Sequence, residues 1–325
     1  MNFKRLIQLF ISVLLIAVLI YWIDFENFIN SVKHANYFYI FVAFIIVTFS
    51  RLLMAYKWNI LLKVKGINLS LFEVTKIYYI SNFLGLYLPP TIGGDIVRAY
   101  YVTKKKYQIS DIISSLVVER IIGLLVLLLF AVIGGVFFYL FFGDSRFDIK
   151  NILILFIVIF FIIFMFFYVS LDKNISNKIL NRCDKFISDT IAGKLINKFK
   201  KLYVSYLLYK NAKIALFIFF LLTSLEVFSY ILRSYIVAQA LNVEIPFIYL
   251  FSFVPIIMAL IRLPISLNGF GINEGGFVFF LSLIGISKTT GFSVGLIDHL
   301  IVLIAILPGG IFYLFDQGIY NKIKK

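Results

Sequence analysis

Pro89-Pro90-Thr91-Ile92-Gly93-Gly94-Asp95-Ile96-Val97-Arg98 interrupts an apolar region covering residues 74–101. Proline lacks the N–H that a helix needs, and paired glycines free the backbone, so this decapeptide ends one helix and opens another. A second apolar region, residues 247–286, is broken in the same way by Pro264-Ile265-Ser266-Leu267-Asn268-Gly269-Phe270-Gly271-Ile272-Asn273-Glu274-Gly275. Six uninterrupted apolar segments surround the two breaks, at residues 6–23, 37–62, 113–142, 151–171, 214–241 and 292–315. Each can cross a hydrocarbon core of about 30 Å at about 1.5 Å per residue. Irregular backbone at membrane depth is tolerated only inside protein or beside a water-filled cavity. Both broken regions therefore read as re-entrant hairpins of two half-helices. The expected fold class is an all-α polytopic membrane protein with about six spanning helices plus two re-entrant helical hairpins.

The composition agrees. Hydrophobic residues make up 62% of the 325 positions, 38 of them Phe, and the mean hydropathy is +1.00. Long apolar runs along the whole length mean that the solvent is lipid. A net charge of +15 would point to nucleic acid in a soluble protein; in a membrane protein it speaks of topology and of anionic headgroups. Cys183 is the only cysteine, and His34 and His299 are the only histidines, far apart in the chain. An intrachain disulfide is excluded, and no metal site or cofactor is expected. Lys4 and Arg5 precede the first apolar run, which is long for a signal peptide and has no small-x-small cleavage site after it, so it reads as a retained helix.

The basic residues orient the chain. With the N-terminus in the cytoplasm and each hairpin returning to the side it came from, 23 Lys and Arg fall on the cytoplasmic side and four outside. Arg51, Arg120, Arg233 and Arg262 remain inside apolar segments. That asymmetry places both termini in the cytoplasm and the protein in the cytoplasmic membrane. The cytoplasmic count includes Lys57, Arg98 and ten residues of a basic loop at 172–213, where one amphipathic helix with Ile179, Leu180, Phe186, Ile187 and Ile191 on its apolar face could lie on the leaflet. The same topology makes residues 1–325 a single integral membrane domain of two inverted halves, about 1–142 and 151–315. Spacing supports the repeat. Asp95 precedes Glu119 by 24 positions and Glu274 precedes Asp298 by 24. Arg120 and His299 follow those downstream acids, and Arg51 and Arg233 occupy the helices before the hairpins. Inverted repeats whose broken helices meet near the midplane are a common transporter architecture.

Three constellations could carry chemistry. In the first break, Gly93 and Gly94 bare their amides, Asp95 can cap the next half-helix, and Arg98 one turn on could join those amides on a phosphate; the alternative is a structural Asp95–Arg98 pair. In the second, Asn268 or Asn273 could cap, while Gly269 and Gly271 allow the turn. Glu274 there could take a proton, bind an amine, or merely pair with Arg262 or Arg233. The third set comprises the Glu119–Arg120 pair and a possible polar track of Arg51, Glu226, Arg233, Asp298 and His299. Charges at mid-bilayer are costly, so these should face inward. Glu226 and Arg233, seven apart, share a helix face.

The Pro-x-x-x-Gly-Gly-Asp-x-x-Arg run, the Glu119-Arg120 pair and Asn268-Gly269-Phe270-Gly271-Ile272-Asn273-Glu274 resemble the lysylphosphatidylglycerol synthase transmembrane-region family, also called flippase-like integral membrane proteins. The resemblance covers about residues 4–313. It implies movement of lipids between leaflets, as in relatives whose membrane module handles aminoacylated phosphatidylglycerol made by a soluble C-terminal domain. The chain ends at Lys325, so that synthase domain is expected to be missing, and aminoacyl transfer with it. The function expected is therefore translocation of a phospholipid or polyprenyl-linked lipid, with membrane lipids, anionic ones above all, as partners and no nucleic acid. The protein is not expected to be an enzyme. Two alternatives stand beside it: a membrane glycosyl- or lipid-transferase using Asp24 and Glu26 of the first outer loop, and an accessory subunit of an envelope-synthesis complex.

Overall fold

A computed structural model describes residues 10, 13–15, 17–19, 21, 24–88, 92–142, 149–185, 191–263 and 265–323. Among these residues the fold is helical throughout and no strand occurs. The described residues between 10 and 21 are helical; most of the first predicted span lies outside the described residues, as do Pro89, Pro90, Thr91 and Pro264.

The numbered helices begin with α1 (Phe25–Lys33), capped by Asp24, whose side chain accepts from the amides of Glu26 and Asn27. Then come α2 (Tyr37–Val64), α3 (Leu71–Gly85) with a Ser70–Glu73 capping box, α4 (Gly93–Thr103) and α5 (Ile109–Phe142). The second half holds α6 (Ile149–Ser170), α7 (Lys173–Lys185), α8 (Ile191–Leu207), α9 (Lys213–Ala240), α10 (Phe247–Ile261), α11 (Ile272–Ser282), α12 (Lys288–Ile306) and α13 (Pro308–Ile323).

Among the described residues, five stretches are long and apolar enough to cross a membrane: Tyr37–Val64, Ile109–Leu140, Leu153–Ser170, Lys213–Ala240 and Lys288–Asp316. The last runs through α12 and α13, with a turn at Leu307 where Pro308 removes a helical N–H. None of Leu153–Ser170 is buried. Ile162 and Phe166 are 62% and 66% exposed, a surface that only hydrocarbon can cover at low cost. The chain is a multi-pass integral membrane protein.

Helix contacts recur in corresponding pairs. Helices α2 and α9 pack along one another, α3 packs on α4 as α10 does on α11, and α4 on α5 as α11 does on α12. The first arm of each hairpin also leans on the last span of the other half, α10 on α5 and α3 on α13. Glycine permits both crossings. A Cβ on Gly134 would lie 2.6 Å from the Phe251 carbonyl, and one on Gly309 would collide with the Tyr79 carbonyl. Close backbone approach through small residues is how helices associate where water supplies no drive. One core joins α2, α5, α9, α10, α11 and α12 around Phe219, Phe253 and Phe277. A smaller one under the first hairpin surrounds Trp58, Ile77 and Val102.

The basic loop differs from expectation. It forms two helices, α7 and α8, and α8 is docked rather than free. Ser205 of α8 bonds to Asp111 (2.7 Å) and shares a hydroxyl contact with Ser114 (2.8 Å), while Tyr209 donates to the Leu61 carbonyl at 2.9 Å. Ile179 and Leu180 are half-buried; Phe186 and Ile187 lie outside the described residues. Lys65, just past the end of α2, donates to the Ser205 carbonyl. Burial pushes its ammonium down to about 8, against a smaller upward pull from Asp111.

Candidate functional site

In the first hairpin, Gly94 lets α4 close on α3: a Cβ there would lie 3.3 Å from the Ser81 carbonyl. Asp95 sits in the first turn of α4 and is not its cap; that position is Ile92, without a side-chain bond. The carboxylate instead receives Arg98 Nη2 at 2.5 Å and Arg120 Nε at 2.6 Å, because two guanidiniums outweigh one capping N–H in a low-dielectric site. Arg98 also donates to Glu119 at 2.8 Å. Its guanidinium lies 4.8 Å from the rings of both Trp58 and Tyr78. Four alternating charges thus cancel, and Arg98 is committed to carboxylates rather than left free for a ligand phosphate.

In the second hairpin the chain turns through Asn268, Gly269 and Gly271, all at positive φ (53°, 83° and 81°), a region that glycine adopts without steric cost. The N-cap of α11 is Gly271, not either asparagine. Glu274 reaches back to accept the Gly271 N–H at 2.7 Å, and Asn273 donates to the Gly295 carbonyl at 2.7 Å. Asn268 donates from its side chain to the Leu86 carbonyl of the first hairpin at 3.3 Å, tying the two tips together. Glu274 pairs with neither Arg262 nor Arg233. Its partner is His299, with Nδ1 2.7 Å from Oε1; His299 Nε2 lies 3.1 Å from the Asn268 carbonyl.

The polar track resolves into separate pairs. Arg233 grips Asp298 through two bonds of 2.8 and 2.6 Å, with Ser234 adding a third to that carboxylate at 3.0 Å. Glu226 pairs with Lys57, both buried. Lys57, counted with the cytoplasmic charges in the sequence, is thus inside the fold, as is Arg98. The sharing of a helix face by Glu226 and Arg233 does not couple them, since one reaches α2 and the other α12. Arg51 is buried, with Nε unpartnered and Nη1 3.8 Å from Met54 Sδ.

The two hairpin tips line one open cleft of about 340 Å³. Of the predicted residues, Gly94, Asp95, Arg98, Asn268, Gly269 and His299 line it. Gly93, Glu119, Arg120, Gly271, Glu274, Arg51, Glu226, Arg233 and Asp298 are not among its lining residues. Three lining groups escaped the sequence reading as ligands. Arg262, at the end of α10, is exposed, and its guanidinium has no ion pair or hydrogen bond to any described residue. Asn82 Nδ2 and Ser266 Oγ are buried without a partner among the described residues. The signal for Arg262 was present in the sequence: it is a cation five residues beyond Ile257, at the break itself. A second cavity of about 200 Å³, walled by Phe138, Phe156, Phe253 and Phe280, carries no charged group and suits hydrocarbon. Among the described residues no group of three His, Cys, Asp or Glu could hold a metal ion.

Against known families, residues 6–310 match the model of the lysylphosphatidylglycerol synthase TM region. The chain belongs to that family. Two curated relatives span it end to end. The UPF0104 membrane protein PH1989 of Pyrococcus horikoshii is 23% identical over 97% of this chain and 98% of its own length. The UPF0104 membrane protein MJ1595 of Methanocaldococcus jannaschii is 23% identical over 99% of this chain and 97% of its own. Both halves and both hairpins of this chain therefore lie within the family match.

Proposed function

We propose that this family member is a lipid translocase of the cytoplasmic membrane and carries a phospholipid or polyprenyl-linked headgroup through the cleft between its hairpins. The observation that carries the reading is the cleft itself: both broken segments line it, and Arg262, Asn82 and Ser266 offer it polar groups that the protein leaves unused. A buried polar group without a partner costs about 1–3 kcal/mol, so such groups favour a ligand that bonds to them. The lipid tails stay in the bilayer. The two halves, inverted and each with a re-entrant hairpin, rock about the cleft to give alternating access, with both termini cytoplasmic as the basic residues require. The transferase alternative loses support because Asp24 is engaged in capping α1.

The test is leaflet exchange of a labelled anionic phospholipid in vesicles containing the purified chain. Wild type should exchange the lipid faster than protein-free vesicles. Arg262→Gln should slow it by roughly tenfold or more, the loss expected for a charged hydrogen bond of about 1.5–3 kcal/mol. Equal exchange by both proteins would remove the cleft from the path.

A further inference from the structure

Each hairpin joins the acid in the first turn of its second arm to the residue 25 positions later: Asp95 to Arg120, and Glu274 to His299. The partners differ in one property. Arginine keeps its proton under all physiological conditions, whereas imidazole exchanges one between about pH 5 and 8.

The two contacts of His299 determine where its hydrogens sit. The Asn268 carbonyl, 3.1 Å from Nε2, can only accept, so Nε2 carries a hydrogen. Nδ1 lies 2.7 Å from Glu274 Oε1. That contact needs a proton within it, held either as imidazolium donating to carboxylate or as carboxylic acid donating to neutral imidazole. Without the proton, two lone pairs face each other. Glu274 cannot turn to water, since it is 0% exposed and its other oxygen already accepts the Gly271 N–H.

We infer that the Glu274–His299 pair is a proton-binding site and that its proton holds the tip of the second hairpin against the first. On release, the proton passes into the cleft that His299 lines, leaving a carboxylate on Glu274 and a neutral imidazole. The neutral imidazole then has one hydrogen for two acceptors, so it can hold the Glu274 carboxylate or the Asn268 carbonyl but not both. Asn268 is also the residue whose side chain ties the second tip to Leu86, so deprotonation loosens the junction over the cleft. The equivalent Asp95–Arg120 pair cannot respond in this way. On the lipid-translocase reading, the site makes a proton gradient a source of energy for headgroup movement.

Other ionisable groups surround the pair. Asp95, Arg98, Tyr78 and Arg262 share the cleft with His299. On the packed neighbours, Arg233 of α9 is held by Asp298, Lys57 of α2 by Glu226, and Lys76 of α3 by Asp316 of α13. Arg51 of α2 is a fixed cation. Glu26 and Lys33 lie on α1, outside the candidate spans.

Two measurements on the full chain test this. The first is thermal unfolding in detergent from pH 5 to 8, comparing wild type with His299→Arg and His299→Gln. The pair contributes stability at low pH that is lost as pH rises. The melting temperature of wild type should therefore fall with pH relative to His299→Arg, which copies the first hairpin. The second is exchange of labelled phosphatidylglycerol in vesicles with and without an imposed pH gradient. The gradient should accelerate wild type and leave both variants at their ungraded rates. Parallel melting curves for wild type and both variants, or acceleration retained in His299→Arg, would overturn the proposal. Absence of exchange in wild type under every condition would refute the translocase reading, and the melting curves would then decide the proton site alone.

Discussion

The two hairpins solve the same electrostatic problem in different ways. The first gathers Asp95, Arg98, Glu119 and Arg120 into one cluster, whose side chains range from 9% to 48% exposed. The second splits its charges into two pairs, Arg233–Asp298 and Glu274–His299, with no side chain more than 9% exposed. A chain of charges in which the central Asp95 and Arg98 each have two opposite partners tolerates the loss of an end member. A sealed pair does not, because a lone ion in the interior keeps its full desolvation cost. On the proposed reading, the first hairpin is the fixed side of the cleft and the second is the side whose state chemistry can change.

The largest expected effect breaks the second side. Asp298→Asn leaves Arg233 buried without a counter-ion and should cost about 3–5 kcal/mol in detergent unfolding. A loss under 1 kcal/mol would mean that the pair is not sealed. Next, Arg98→Met should cost about 2 kcal/mol, since Arg120 still offsets Asp95 and Tyr78 still reaches Glu119. Adding Glu119→Gln should recover part of that cost, and a double-mutant cycle reads the coupling, about 0.5–3 kcal/mol. Full additivity would show that the cluster does not act as a unit.

A smaller change gives the first hairpin the chemistry of the second. Arg120→His should make stability depend on pH near 6.5, the ordinary imidazole value. Stability would be present when the imidazole is protonated and lost as pH rises. At 48% exposure of Arg120 the amplitude should stay under about 1 kcal/mol. The smallest effect has the opposite sign and lies outside the hairpins. Burial holds Lys65 down to about 8, so above that pH the unfolded chain binds the extra proton and stability rises toward pH 10. Lys65→Met should abolish that rise, read as hydrogen exchange of α8.

Much of the fold was legible because membrane spans are written in local sequence. The five spans that the structure describes, both breaks and the 24-residue spacing follow from apolar runs, Pro, Gly and the order of acids. Partner choice was not legible. Glu274 with His299, and Glu226 with Lys57, depend on which helix faces cross in space. Lys57 was counted as cytoplasmic although α2 continues to Val64, nearly two turns beyond it; an ammonium that far inside a helix belongs to the interior. The two-helix form of the basic loop had a signal in Ser188-Asp189-Thr190, three cap-forming residues just before α8.

The most direct measurement tests the free cation of the cleft by chemical rescue. Cys183 is the only cysteine, so Arg262→Cys in a Cys183→Ser background offers one thiol at the cleft. The account predicts that this variant loses leaflet exchange of a labelled anionic lipid, that a cationic thiol reagent restores it, and that an anionic reagent of similar size does not. Undiminished exchange in the unmodified variant, or equal effects of the two reagents, would contradict a headgroup path through the cleft.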